Sequence, residues 1–135
     1  MPLTHTLTWR LTEHLGHWAG QPVAVNLEIP VGGGSINDCY RLDTSAGRFF
    51  VKLNSADRFP SLFEAEADGL KRIATSGALR APEVIAFGEV DEISYLLLEY
   101  IDSGLKTDSF WAAFGRQLAT LHRQSANVFG LDRDN

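Results

Sequence analysis

The sequence has little that would mark a secreted, membrane-spanning or disulfide-stabilised protein. It contains one cysteine, Cys39, among 135 residues, so no disulfide can form within the chain. No apolar run approaches the ~20 residues needed to span a bilayer, and the longest, over residues 95–100, contains Glu99. The first residues have neither a basic nor an apolar segment typical of a signal peptide. We therefore expect a soluble, cytoplasmic domain with no membrane partner.

Positive charge is also scarce. Lys and Arg number 12 against 17 Asp and Glu, which gives a formal net charge of -5. Proteins that bind nucleic acids usually carry a basic patch or stripe, so no nucleic-acid partner is expected. The hydrophobic fraction of 44% is typical of a packed globule, and the length fits one domain of common size.

The hydrophobic pattern predicts an α+β fold in the order helix, three strands, helix, two strands, helix. Leu7, Leu11, Leu15 and Trp18 share one face of the first helix, which Thr4 caps and Gly20 ends. The strands are predicted over residues 23–31, 36–42, 48–53, 82–89 and 94–100, and the later helices over 60–76 and 108–124. Short turns between strands favour antiparallel pairing.

The last predicted helix has a wide apolar face that little else in the chain could cover. Its stripe comprises Phe110, Phe114, Leu118 and Leu121, with Trp111 beside it. We predict that this face promotes self-association. The expected organisation is an N-terminal helix over 1–20, an α+β unit over 21–101, and a link with one helix over 102–135.

Three consecutive glycines, Gly32, Gly33 and Gly34, separate the first two predicted strands. Glycine lets backbone N–H groups approach a phosphate closely, so this segment suits a flap that covers phosphates. A simple hairpin turn or bulge explains the same residues, and the run alone favours that reading. No Gly-Lys-Ser/Thr follows and no helix opens here, so the segment is not a P-loop.

Lys52 and Glu66 are the two charged residues that the pattern places inside apolar surfaces. Lys52 shares a strand face with Phe50, opposite the face of residues 49, 51 and 53. At ~100° per residue, Glu66 falls between Leu70 and Ile73 in the apolar arc of its helix. A buried lone carboxylate is costly and needs a cation, so we predict a Lys52–Glu66 pair. The alternatives are an edge-strand lysine that extends to solvent and a glutamate at the margin of the arc.

A glycine flap, a strand lysine and an inward helix glutamate in this order resemble the N-terminal lobe of the protein-kinase-like fold. The last strand would then lead into a hinge, with Leu98 behind an adenine pocket. Its partners would be the Glu99 C=O and the Ile101 N–H. An ordinary strand followed by a linker is the alternative.

Several motifs together resemble the fructosamine kinase (ketosamine-3-kinase) family, part of the aminoglycoside/choline kinase-like group. The resemblance covers the chain from about residue 29 onward. The matching segments are GGGSINDCYRL at 32–42, FVKLN at 50–54, FEAEA at 63–67, LLEY at 97–100, GRQLATLH at 115–122 and FG at 129–130.

The resemblance implies the N-terminal lobe of an enzyme that uses ATP and Mg²⁺. Members transfer the γ-phosphoryl group to the 3-hydroxyl of ketosamines, such as fructosamine or ribulosamine on protein lysines, and so repair glycated amines. It also implies that Lys52 anchors phosphates, that Glu66 positions Lys52, and that His122 is structural. The other implied nucleotide-binding residues are Gly32, Gly33, Gly34, Ser35 and Asn37 in the flap, and Glu99, Tyr100 and Ile101 in the hinge.

The family's catalytic loop, His-Gly-Asp followed by a metal-binding Asn, has no counterpart in these residues, nor has its downstream metal-binding Asp. The resemblance therefore implies no catalytic or metal-binding residue in this chain and no kinase activity of the chain alone. Cys39 falls on a strand, where we expect a buried, unreactive thiol.

Two other functions stay open from the sequence. The chain could be the N-terminal lobe of a related kinase that acts on an aminoglycoside, choline or homoserine. It could also be a non-catalytic interaction module, although a buried Lys–Glu pair would serve such a module less well than apolar residues.

Overall fold

A computed structural model describes residues 1–32 and 36–133. In chain order the elements are α1 (His5–Ala19), β1 (Val25–Val31), β2 (Asp38–Thr44), β3 (Gly47–Ser55), α2 (Leu62–Ser76), β4 (Val84–Val90), β5 (Ile93–Glu99) and α3 (Phe110–His122). The predicted α+β fold with a five-stranded antiparallel sheet is confirmed. Of the helices in these residues, none is long and apolar enough to cross a bilayer.

The sheet has the strand order β1-β2-β3-β5-β4, and every neighbouring pair is antiparallel. Strand β3 is therefore central, which rules out the alternative that Lys52 lies on an edge strand. Asp91 and Glu92 join β4 to β5 with positive φ angles of 49° and 66°. Two consecutive left-handed residues give the type I′ turn that matches the twist of a hairpin.

Helix α1 packs on one face of the sheet. Thr4 caps it by accepting a hydrogen bond from the Leu7 N–H at 3.2 Å, and Gly20 ends it in the left-handed conformation. Its buried leucines join a core of alternate strand residues; this cluster comprises Leu7, Leu11, Leu15, Val23, Leu42, Phe49, Val51, Leu53, Tyr95 and Leu97. The predicted face of β3 formed by residues 49, 51 and 53 is confirmed.

Helix α2 packs on the opposite face, over β5 and β4. Phe63 and Ala67 of α2 form a second core cluster with Leu96 and Leu98 of β5, and Phe50 of β3 packs against it. The two helices thus cover opposite faces of one sheet. Because α2 lies toward β4, it leaves uncovered the part of this sheet face that β2 and β3 form. The uncovered part is a cleft.

Helix α3 packs against little else in the described residues, and none of its residues is buried. Trp111 is 64% exposed and Phe114 is 38% exposed. Among the described residues the apolar face of the last helix therefore stays partly exposed, as its sequence pattern predicts.

Some predicted boundaries were wrong. Strand β2 was predicted over residues 36–42 and runs from Asp38 to Thr44. Within the described residues, Ile36 and Asn37 do not pair with a neighbouring strand, whereas Asp43 and Thr44 pair with β3 instead of forming the turn. Helix α2 begins at Leu62 because Ser61 takes a left-handed conformation. Strand β1 is mostly exposed because it lies at the sheet edge.

Trp18 was predicted to share the buried face of α1, and it is instead 46% exposed. It rests edge-on against Phe49 and donates its indole N–H to Glu83 at 3.1 Å. The end of α1 therefore reaches past the core toward the segment that leads into β4.

Candidate functional site

The cleft beside α2 is a cavity of about 740 Å³. Strands β1, β2, β3 and β5 supply its walls, together with α2 and the residues that follow β5. Its lining is mostly apolar, with a few polar groups, as is usual for small-molecule sites. The lining comprises Val31, Ile36, Asn37, Cys39, Phe50, Lys52, Glu66, Leu70, Pro82, Leu98, Glu99, Tyr100 and Ile101.

Lys52 and Glu66 meet in this cavity. The Lys52 Nζ donates to Glu66 Oε1 at 2.7 Å and to Oε2 at 2.8 Å. The side chains are only 19% and 32% exposed, and the Lys52 ammonium also lies 5.8 Å from the ring centroid of Phe63. The predicted ion pair is confirmed. The pair holds a cation on the cavity wall, and the attraction between its two charges offsets the desolvation free energy of burying them partly.

The register of β3 gives the cavity two distinct ends. Phe50 pairs with Leu98, and Lys52 pairs with Leu96. At ~3.4 Å per residue, the Lys52 ammonium branches from the strand about 7 Å beyond Phe50. The end near Leu98 is apolar and adjoins the residues after β5, whereas the other end carries Lys52, Glu66 and Asn37.

Glu99 ends β5 with its side chain in a fixed position. Its carboxylate accepts from the Glu83 N–H at 3.0 Å and from the Arg80 guanidinium at 2.6 Å. The Glu83 N–H, and then Arg80, lower the pKa of Glu99 below its ordinary value. The side chain is thereby tied to the segment before β4. The Glu99 N–H is also used, because it donates to the Glu83 carbonyl at 2.9 Å, so the backbone carbonyl is the group that Glu99 could offer a ligand.

Tyr100 is packed among cations at the apolar end. The guanidinium carbons of Arg48 and Arg41 lie 5.5 Å and 5.8 Å from its ring centroid, and Phe50 lies 6.5 Å away. Arg48 also donates to Asp102 at 2.8 Å. These contacts hold the chain against the sheet as it leaves β5, where Tyr100 and Ile101 line the cavity.

The flap residues are only partly within the described structure. Gly32 follows β1 and is exposed, and Asn37 lines the cavity. Gly33, Gly34 and Ser35 lie outside the described residues. Of the predicted site residues, the structure therefore brings six to one cavity: Asn37, Lys52, Glu66, Glu99, Tyr100 and Ile101.

Comparison with known proteins decides the family. The family model described as "Fructosamine kinase" matches residues 8–135. The chain belongs to the fructosamine kinase family. Over its whole length it is 34% identical to a probable ketoamine kinase of Synechocystis, of which it covers 46%. Over 94% of its length it is 35% identical to the chloroplastic protein-ribulosamine 3-kinase of Arabidopsis thaliana, of which it covers 37%.

A solved structure confirms the fold. The crystal structure of a Haemophilus somnus protein assigned as a fructosamine-3-kinase superposes with a TM-score of 0.83 at 27% identity, over 93% of this chain and 43% of that one. The chain thus spans less than half the length of each of these three relatives. Its sheet, α2 and cleft form the N-terminal lobe of a fructosamine kinase fold.

Metal ligands were predicted to be absent from this chain. Within residues 1–32 and 36–133, no group of three or more His, Cys, Asp or Glu side chains is placed to hold a metal ion. The cavity itself contributes one pair of acidic residues, Glu66 and Glu99, and each is already bonded to a cation.

Cys39 lies at the cavity and is more exposed than its sequence position on a strand suggested. It lies on β2 directly opposite Lys52 and lines the cavity, and its side chain is half-buried instead of fully buried. Burial raises the pKa of the Cys39 thiol, although Lys52 opposes this. The thiol form is therefore favoured, in agreement with the predicted low reactivity.

Asn54 is the polar residue near the site that sequence reasoning missed. It lies on the same face of β3 as Lys52 and is 7% exposed. Its Nδ2 donates to Asn37 Oδ1 at 2.7 Å and to the Ile36 carbonyl at 3.3 Å. An asparagine two residues after Lys52 on the same strand face was the available signal.

Proposed function

We propose that this chain is the nucleotide-binding half of an ATP-dependent ketosamine kinase. In this proposal the base of ATP lies at the apolar end of the cavity, against Phe50 and Leu98, and its edge meets the backbone at Glu99, Tyr100 and Ile101. The triphosphate extends along β3 toward Lys52. The observation that carries the proposal is the Lys52 ammonium, held by Glu66 at the wall of an apolar cleft.

The cavity fits ATP in size and chemistry. Its volume of about 740 Å³ lies within the range typical of small-molecule sites. Lys52 offers the kind of point charge that binds phosphate oxygens. Glu66 leaves one of the three ammonium hydrogens of Lys52 available, since its carboxylate accepts two.

The proposed reaction moves the γ-phosphoryl group of ATP to the 3-hydroxyl of a ketosamine. The hydroxyl oxygen forms the new P–O bond, the bond to the β-phosphate oxygen breaks, and ADP leaves. Mg²⁺ neutralises the phosphate charge in such transfers. We expect its protein ligands, and the base that takes the hydroxyl proton, to come from residues outside this chain. The chain alone should bind nucleotide without transferring phosphate.

The ketosamine acceptor is favoured over aminoglycosides or choline by the family match and by the names of the relatives, which are ketoamine and ribulosamine kinases. Residues 102–135 would then contain the link and the first helix of the second lobe. The acceptors would be free ketosamines or glycated protein lysines, and a cytoplasmic location is part of the same proposal.

Nucleotide binding tests this proposal. We expect calorimetry to show saturable binding of Mg·ATP by the chain, and Lys52→Met to weaken it about 10-fold or more, as loss of a charged hydrogen bond does. Adenosine, which lacks phosphates, should bind both proteins equally. Lys71→Met removes an exposed lysine from α2 and is the matched control. Absence of Mg·ATP binding by the wild type, or equal losses in both variants, would contradict the proposal.

A further inference from the structure

The amide of Asn54 is fully engaged and therefore has one orientation. Its Oδ1 accepts from the Ser55 N–H at 2.7 Å, and both Nδ2 hydrogens are used, on Asn37 Oδ1 and the Ile36 carbonyl. Rotating the amide by 180° would set oxygen against the Ile36 carbonyl and an N–H against the Ser55 N–H. The two backbone groups therefore determine which end of Asn54 faces Asn37.

The orientation of Asn54 determines that of Asn37. Because Asn54 presents a donor, Asn37 must present its Oδ1, and its own Nδ2 is directed away from Asn54. Asn37 lines the same cavity as Lys52. Its partner is well anchored: Asn54 is 7% exposed, and its backbone carbonyl accepts from Ser94 Oγ at 3.1 Å, with Ser94 6% exposed.

We propose that Asn54 is a positioning residue that orients the Asn37 amide to donate its Nδ2 hydrogens to a phosphate oxygen of the bound nucleotide. The inference rests on the proposed function, since it names a further donor for the same ligand. Asn54 acts through Asn37 and does not itself touch the nucleotide. A chain of bonds thus runs from the Ser55 N–H through Asn54 to Asn37 and the phosphate.

The geometry favours a phosphate over the base as the acceptor. Asp38 pairs with Leu53 at the start of β2, so Asn37 stands one residue beyond this pair, opposite the Asn54 end of β3. The apolar end of the cavity is on the other side of Lys52, at Phe50 and Leu98. A ligand that places its base there and its phosphates at Lys52 extends toward Asn37.

A double-mutant cycle tests the orienting role. Asn37→Ala should weaken Mg·ATP binding about 10-fold, equivalent to ~1.4 kcal/mol, without changing adenosine binding. Asn54→Leu, which is neutral and similar in shape, should weaken it by a similar factor in the wild type and by less than about 2-fold in the Asn37→Ala background. A merely structural role for Asn54 predicts the same loss in both backgrounds and would overturn the inference.

A spectroscopic measurement covers the case in which Asn54→Leu does not fold. The side-chain amide signals of Asn37, assigned by their loss in Asn37→Ala, should shift when Mg·ATP is added to the wild-type chain and stay in place with adenosine. Unmoved signals in a chain that binds Mg·ATP overturn this inference alone. A wild-type chain that does not bind Mg·ATP overturns the proposed function and this inference with it.

Discussion

Lys52 on the central strand and Glu66 on α2 are joined by two hydrogen bonds, at 2.7 and 2.8 Å, across a sequence separation of 14 residues. The pair fixes the position of the Lys52 ammonium relative to the sheet. It also ties α2 to β3, although α2 packs chiefly over β5 and β4.

We predict that Glu66→Gln weakens Mg·ATP binding about 3- to 10-fold, because Lys52 keeps its charge and loses its fixed position. Adenosine affinity should not change. Since the pair is partly exposed, the free energy of unfolding should fall by only ~1 kcal/mol or less.

Glu64→Gln is the matched control for Glu66→Gln. Glu64 lies on the same helix, two residues earlier, and does not line the cavity. Its carboxylate oxygen lies 3.2 Å from the Arg133 guanidinium. It should leave nucleotide affinity unchanged. Equal effects of the two substitutions in a binding titration would show that helix charge, and not the contact with Lys52, controls affinity.

Gly88 is expected to be intolerant of any side chain. A Cβ built on it would lie 2.8 Å from the Tyr95 hydroxyl on the neighbouring strand. That hydroxyl is also 2.8 Å from His14 Nε2, so displacing it would break a bond between β5 and α1. We predict that Gly88→Ala lowers the free energy of unfolding by ~1–3 kcal/mol, measured by urea denaturation.

Gly69 provides the opposite case for the same measurement. It lies inside α2, and a Cβ there would meet nothing within 4 Å. Gly69→Ala should raise the free energy of unfolding by ~0.4–1 kcal/mol, since alanine loses less conformational freedom in a helix. Destabilisation by Gly69→Ala would contradict the open space at Gly69, and a Gly88→Ala variant as stable as the wild type would contradict the packing described for Gly88.

The stability of the chain should decline on mild acidification because of His14. Burial, and then the nearby Arg10 charge, lower the pKa of His14 below its ordinary value of 6.5. The unfolded chain therefore takes up a proton at a higher pH than the folded chain does. The stability due to His14 is present above that ordinary value and is lost as the pH falls below it.

The measurement is urea unfolding between about pH 7.5 and about pH 5.5. His14→Gln should make the decline in unfolding free energy shallower over this interval. His5→Gln, at an exposed histidine on the same helix, should keep the wild-type slope. An unchanged slope in His14→Gln would mean that other groups produce the acid sensitivity.

The apolar face of α3 should make the isolated chain self-associate. Phe110, Trp111 and Phe114 form an aromatic cluster there. We predict concentration-dependent association in sedimentation velocity, and its loss in the double variant Trp111→Ser, Phe114→Ser. Trp9→Ser is the control, because Trp9 is an exposed tryptophan, 55% exposed, on a different helix, α1. A monomeric wild type at all concentrations would refute this prediction.

Periodicity was enough to predict the part of the site that lies on regular elements. Alternation along β3 put Lys52 on one face, and the helical period put Glu66 in the apolar arc, so their contact followed from packing a helix on a sheet. The same reasoning could not tell which face α1 covers, because Leu7, Leu11 and Leu15 show an apolar helix face and not its partner.

Contacts between a strand and a loop could not be predicted from the sequence. The bond from Asn54 to Asn37 depends on where residues 36 and 37 lie relative to the end of β3, and no local pattern encodes that distance. Likewise, Asp43 and Thr44 have turn propensity, yet pairing with Arg48 and Gly47 draws them into the ladder.

The two faces of β3 have different roles. Its odd-numbered residues from 49 to 53 face α1, and its even-numbered residues from 50 to 54 face the cleft side. Substitutions at Val51 or Leu53 should therefore destabilise the fold, whereas a substitution at Lys52 should leave the fold intact and weaken the proposed nucleotide binding. One face of this short strand thus lines the cleft, and the other face closes the hydrophobic core under α1.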